Sequence, residues 1–192
     1  MIDPYLWPGT DCLRNKLDLT DPDLLAEFED RIVSSRDVEL ARETLPGEYN
    51  LQHFQRFHWW LFRDVYEWAG QARTVDISKG GSRFGSWRYL DEEVSAVLEK
   101  LASDHWLIGL ARPVFVDKLA FYYGELNARH MFREGNGRTQ RAFLRQLSAA
   151  AGWRLDWSAL NKDDNIVVSQ HNLLTADCGQ LAEVLDPVIT RI

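Results

Sequence analysis

The stretch from Pro113 to Ala151 constrains this chain most, because it reads as two helix-length segments joined by a short loop carrying two glycines and a histidine. Pro113 to Arg129 sets Phe115, Leu119, Tyr122 and Tyr123 along one face at three-to-four spacing, the mark of an amphipathic helix. A second helix is expected from about Gly137 to Ala151. The residues between them are too few to form an element of their own. A loop held by two rigid helices is where catalytic groups concentrate. An all-helical bundle around this central helix-loop-helix is the expected fold.

The remaining segments mostly keep the same period. Thr20-Asp21-Pro22 offers a cap and a proline in the first turn, and Leu24, Leu25, Phe28 and Ile32 then mark the apolar face of a helix over about 20–45. Asn50 opens Leu51 to Trp68, dense in aromatics, which reads as a buried helix closed by Ala69-Gly70. Tyr89 to Leu101 gives another, and Lys162 to Ile189 holds at least one more. One segment breaks the period. Arg73 to Ser78 alternates and runs into Lys79-Gly80-Gly81-Ser82-Arg83-Phe84, which predicts a small β-hairpin or flap. No repeat or flexible linker divides the chain, and 192 residues at 45% hydrophobic content can bury one core. A single domain over 1–192 is expected, its core at about 50–160 with the first and last helices packed on it.

Charge narrows the partners. Lys and Arg number 22 against 29 Asp and Glu, a net charge of -7 with no basic run, which disfavours non-specific nucleic-acid or membrane-surface binding. The start, Met1-Ile2-Asp3-Pro4, lacks a basic region followed by an apolar core, and no stretch approaches the roughly 18 apolar residues of a membrane span. A soluble, cytoplasmic protein is expected. Cys12 and Cys178 stand alone, without metal-ligand spacing, and read as reduced core thiols. His53, His58, His105 and His171 occur in no metal or carboxylate motif, and no chemistry is assigned to them.

The loop is different. Residues 130 to 141 read His-Met-Phe-Arg-Glu-Gly-Asn-Gly-Arg-Thr-Gln-Arg. Gly135 and Gly137 open backbone conformations closed to other residues, so the N–H groups from 135 to 138 can converge on an anion, reinforced by the N-terminal end of the next helix. Arg138 and Arg141, three apart, share a helix face and can grip neighbouring phosphates. Glu134 beside that nest would repel phosphate unless a cation intervenes, and Mg2+ is the simplest resolution. His130 can take a proton from an attacking hydroxyl. Singly, each feature has an ordinary reading: a structural histidine, a helix-to-helix turn, a solvated arginine face. Their joint spacing favours the chemical one.

This segment resembles the signature of the Fic family, His-Pro-Phe-x-(Asp or Glu)-Gly-Asn-Gly-Arg-x-x-Arg, departing only at Met131, where proline is usual. Asp3-Pro4-Tyr5-Leu6-Trp7-Pro8-Gly9-Thr10 with Leu13 to Leu17, and Trp68-Ala69-Gly70-Gln71-Ala72-Arg73, are similar to the bacterial cell-filamentation and Fic-toxin branch. The resemblance implies a protein adenylyltransferase that uses Mg-ATP to attach AMP to a Tyr, Thr or Ser hydroxyl of a target protein, such as a type II topoisomerase subunit. It implies His130 as base, Phe132 as loop anchor, and Glu134 as the Mg2+ ligand. Gly135, Asn136 and Gly137 would form the anion hole, with Arg138 on the phosphates and Arg141 on the γ-phosphate. The hairpin from Ser78 to Phe84 is similar to the family's flap, which aligns the target segment, and Lys79 and Gly80 would touch nucleotide there.

Many family members are restrained by a helix bearing (Ser or Thr)-x-x-x-Glu-(Gly or Asn). Only Ser35-Arg36-Asp37-Val38-Glu39-Leu40 comes close, ending in leucine, so an ordinary exposed helix face is the favoured reading. The resemblance then implies a toxin restrained by a separate small antitoxin that supplies the inhibitory helix. Two alternatives remain open at this level: transfer of another phosphate-linked moiety (UMP, phosphocholine or phosphate), and a catalytically silent binding module.

Overall fold

The computed structural model describes residues 3–79 and 82–192. Seven α-helices follow in order among them: α1 (Pro22–Arg42), α2 (Leu51–Phe62), α3 (Leu90–Ser103), α4 (Arg112–Arg129), α5 (Asn136–Ala150), α6 (Lys162–Thr175) and α7 (Gly179–Leu185). β1 (Ser78–Lys79) pairs antiparallel with β2 (Ser82–Arg83), and β3 (Trp153–Leu155) with β4 (Ile189–Arg191). The α4–loop–α5 hairpin sits at the centre, with one hydrophobic cluster extending from Cys12 to Ile189 around it. No described helix is long and apolar enough to cross a membrane. Cys12 is buried, Cys178 is half-buried, and both are free thiols.

Local chemistry explains the element ends. Asp21 accepts from the N–H groups of Asp23 and Leu24 and so caps α1 directly before Pro22. Asn50 does the same for α2 through His53 N–H, and Asn161 for α6. Helix α1 turns a face one residue away from the one its apolar residues suggest. Leu25, Glu29, Val33 and Leu40 are buried, whereas Leu24 and Phe28 are each 40% exposed. The i, i+4 row through Leu25, Glu29 and Val33 carries a carboxylate, and Glu29 on that row is met by the buried Tyr66 hydroxyl and by Arg138.

Two further expectations are corrected. Helix α2 stops at Phe62 and does not continue to Trp68, because Val65 and Tyr66 N–H both fold back onto Phe62 O and the chain turns inward, burying both side chains. Aromatic density there signalled burial rather than helix length. The pairing of β3 with β4 is a second small ladder in addition to the flap. Its register, Trp153 to Arg191 and Leu155 to Ile189, joins strands far apart in sequence, which no local pattern announces. The flap register, Ser78 to Arg83, lies within the expected hairpin, and Gly80 lies outside the described residues.

Candidate functional site

Each residue of the loop between α4 and α5 is tied to chain outside it. His130 ends α4 in the left-handed region, φ 44 and ψ 64, which reverses the chain. Met131 and Phe132 then enter the core, at 1% and 0% exposure. Met131 stands where proline is usual, and its carbonyl accepts from Arg73 N–H at 3.0 Å, so a hydrogen bond fixes the backbone there. Asn136 clasps the same loop: Oδ1 accepts from Phe132 N–H and Nδ2 donates to Phe132 O, each at 2.7 Å. With the Asn136 amide committed inward, its offering to an anion is its backbone N–H.

The loop rests on two side chains to which the sequence assigned no role. His58 stacks on Phe132 at 3.9 Å between ring centroids and 13° between planes. Its Nδ1 accepts from Gly70 N–H at 2.8 Å, so Nε2 carries the hydrogen and donates to Glu134 O at 3.1 Å. Arg73, fully buried, donates from Nε to His130 O at 2.8 Å and from Nη1 to Val75 O at 2.6 Å. Its Nη2 reaches Arg129 O at 3.1 Å and also Gly85 O. One guanidinium thereby joins the end of α4 to the strand segment leading into the flap.

Burial pushes the His58 pKa from 6.5 down to about 3. A folded-state pKa below the unfolded one means that the unfolded chain binds the extra proton first as pH falls, so stability declines below about pH 6.5. His58 should contribute a slope of up to about 1.4 kcal/mol per pH unit between those values. Chemical denaturation of wild type and His58→Gln across that range checks this. The variant should lose part of the slope, with His53, also pushed down by burial, supplying a remainder of the same sign. Parallel curves would show that His58 does not titrate on unfolding.

A cavity of about 370 Å³ opens against the loop, and His130, Glu134, Gly137 and Arg141 all line it, as do Asn136 and Phe84. That is within the size range of small-molecule sites. The His130 ring stacks on Phe84 at 3.8 Å and 12°. Its Nδ1 lies 2.8 Å from Asn127 O, a carbonyl that can only accept. The hydrogen therefore sits on Nδ1, and Nε2 is the proton-accepting nitrogen. Thr139 N–H is the first in α5 to find a helical partner, Gly135 O at 3.0 Å. The N–H groups of residues 136 to 138 thus form the open N-terminal end of that helix, beside the cavity.

The charged residues divide. Arg141 Nη1 lies 3.2 Å from the place a Cβ on Gly137 would occupy, so its guanidinium folds toward the same helix end. Among the described residues it has no ion pair within 4.0 Å, and burial lowers its pKa. Arg138 does not line the cavity beside it. Its Nη2 is held by Glu29 and, at 3.3 Å, by Glu134 Oε1. Glu134 Oε1 also accepts from Gly135 N–H at 2.8 Å. No group of three or more His, Cys, Asp or Glu gathers as a metal cage among the described residues. A single, half-exposed carboxylate at the cavity fits Mg2+, which takes one or two carboxylates and fills its remaining positions with phosphate oxygens and water.

Flap and inhibitory-motif candidates are also placed. Lys79 pairs with Ser82 in the flap ladder, and Phe84 brings the base of the flap onto His130. Glu39 accepts twice from Arg36, at 2.9 and 3.1 Å, while Arg36 also binds Asp64. That pairing engages Glu39 on its own helix, as an ordinary surface ion pair would.

A helix-loop-helix presenting a histidine, a carboxylate, a helix N-terminus and an arginine to one cavity defines a nucleotide-handling class of domain. The Fic/DOC family profile matches residues 48–148, and the chain belongs to that family. It is 39% identical over 162 residues to protein adenylyltransferase VbhT of Bartonella schoenbuchensis, spanning 84% of this chain but 34% of that protein. It is 37% identical over 163 residues to the Fic protein of Escherichia coli K12, covering 84% of this chain and 80% of that one. The crystal structure of BepC, a VirB-translocated effector of Bartonella tribocorum with bound AMPPNP, superposes with a TM-score of 0.93 at 25% identity. That match covers 98% of this chain and 97% of BepC.

Proposed function

We propose that this chain is a protein adenylyltransferase that transfers AMP from Mg-ATP to a hydroxyl side chain of another protein. The observation that carries the reading is the fixed tautomer of His130. With Nδ1–H directed at Asn127 O, the basic Nε2 belongs to a ring on the wall of the cavity that Glu134, Gly137 and Arg141 share. Nε2 takes the proton from the target hydroxyl as its oxygen attacks the α-phosphorus. The bond to the β-phosphate bridging oxygen breaks, and pyrophosphate leaves. The N–H groups opening α5 receive phosphate oxygens, and Arg141 takes the terminal phosphate. Glu134 would hold Mg2+, which supplies neutralisation of phosphate charge. AMPPNP in BepC and the adenylyltransferase name of VbhT support the reading.

The same reading gives Arg141 a regulatory use. A half-buried arginine without an ion pair among the described residues suits a carboxylate delivered on a helix by a small separate antitoxin, in a toxin that acts in the cytoplasm. Co-expression with the small helical protein of a neighbouring gene should relieve growth arrest, and unchanged arrest would count against it. The catalytic reading is tested with α-labelled ATP, Mg2+ and a bacterial lysate. His130→Ala should lower label on the target by about 100-fold or more. Undiminished labelling by the variant would remove His130 from the base role, and no labelling by wild type with any nucleotide would remove AMP transfer.

A further inference from the structure

Glu29 is the one buried acidic residue among the described residues, 7% exposed on a helix that contributes nothing to the motif. Its two oxygens have separate partners. Oε2 accepts from the Tyr66 hydroxyl, and Oε1 accepts from Arg138 Nη2. Burial, and next the Glu29 charge itself, push the Tyr66 pKa up, so the hydroxyl stays a donor. The Arg138 guanidinium is thereby held on three sides. Glu29 takes Nη2, the Phe62 ring lies 4.9 Å below, and Glu134 Oε1 stands 3.3 Å from the same Nη2.

That arrangement has a charge consequence. Two carboxylates share one guanidinium, so the trio of Glu29, Arg138 and Glu134 keeps a net negative charge, and of the three it is Glu134 that lines the cavity. The shorter ion pair is with Glu29, and the longer, weaker one leaves Glu134 only partly neutralised. Without the Glu29 charge, Arg138 would be drawn onto Glu134 alone, compensating the carboxylate that faces the cavity.

We infer that Glu29 is a positioning residue for the nucleotide site, holding Arg138 back so that Glu134 keeps its charge for a divalent cation. The inference rests on the proposed Mg-ATP reading and deepens it. Nothing in it requires Glu29 to touch nucleotide. Neighbours of a metal ligand that set its orientation and basicity commonly change metal affinity by about 10- to 100-fold when removed.

The test follows binding rather than turnover: a fluorescent, non-hydrolysable ATP analogue is titrated onto the full chain at increasing Mg2+, with thermal unfolding run in parallel. Glu29→Gln should raise the half-saturating Mg2+ by about tenfold. Tyr66→Phe, which keeps the Glu29 charge and its pair with Arg138, should leave that value within about twofold while lowering the melting temperature. An unchanged Mg2+ requirement in Glu29→Gln overturns the inference, as does an equal shift in both variants, since packing alone would then explain it. Should Glu29→Gln fail to fold, Glu29→Asp decides: a retained charge should keep the requirement near wild type, and a tenfold rise would overturn the inference. A wild-type protein that binds the analogue without any need for Mg2+ would instead remove the metal role of Glu134 itself.

Discussion

Gly135→Ala should abolish most nucleotide transfer and lower stability together. Gly135 holds φ 80, where an L side chain is strained by about 1 kcal/mol. The larger effect is contact. A Cβ there would lie 2.1 Å from Phe62 Cζ, and that ring cannot swing away. It is fully buried, stacked on His58 at 4.7 Å, with the Arg138 guanidinium over its face. The loop must therefore move, carrying Glu134 and the N–H groups that open α5. Displacements near 1 Å at a reacting site cost about 100-fold in rate, and that loss is expected here in an AMP-transfer assay. Combining Gly135→Ala with Phe62→Leu removes the clashing ring edge and should recover part of the melting temperature. If the single variant transfers AMP at the wild-type rate, the close approach of loop and α2 does not set the site geometry.

The same contacts explain what was legible in the sequence. Residues 130 to 141 could be read because their chemistry is contiguous: loop glycines, a carboxylate, a histidine and arginines at helical spacing announce themselves without any tertiary information. The flap could be read from alternation ending in two glycines. What supports the loop was illegible because it arrives from elsewhere. His58 sits in an aromatic run that reads as core, and its ring does behave as core on both faces. Only its two nitrogens, committed to Gly70 and Glu134 backbone, distinguish it. Arg73 ends a stretch that carried the family resemblance, yet nothing local shows that its guanidinium is buried among carbonyls. Glu29 had one available signal, a carboxylate four residues after Leu25 and four before Val33, within the stripe that proves to be buried. The motif's second-helix arginines illustrate the limit of spacing arguments. Arg138 and Arg141 share a face of α5, but Glu29 and Glu134 turn one aside while the other stays at the cavity.

Arg73→Met should be the most destabilising of the substitutions considered. Replacing a buried ion by a hydrophobe of similar length can be neutral when its partners lose their charge with it. Arg73 differs because, apart from the half-exposed Asp76 carboxylate at 3.8 Å, its partners are backbone carbonyls. Those of His130, Arg129, Val75 and Gly85 would all remain in place without their donor. Each buried unpaired acceptor costs about 1–3 kcal/mol, so a loss of at least about 3 kcal/mol is expected even if water reaches one of them. For a chain of this size that corresponds to about 6–12 °C in melting temperature. Arg73→Lys should not restore it, because one ammonium cannot address carbonyls spread across the fork of a guanidinium. Transfer activity should fall in both variants while they are still folded, since His130 O is among the released groups and the proposed base would lose its anchor. A melting temperature within about 2 °C of wild type in Arg73→Met would show that the loop is held by Phe132, Asn136 and His58 without it.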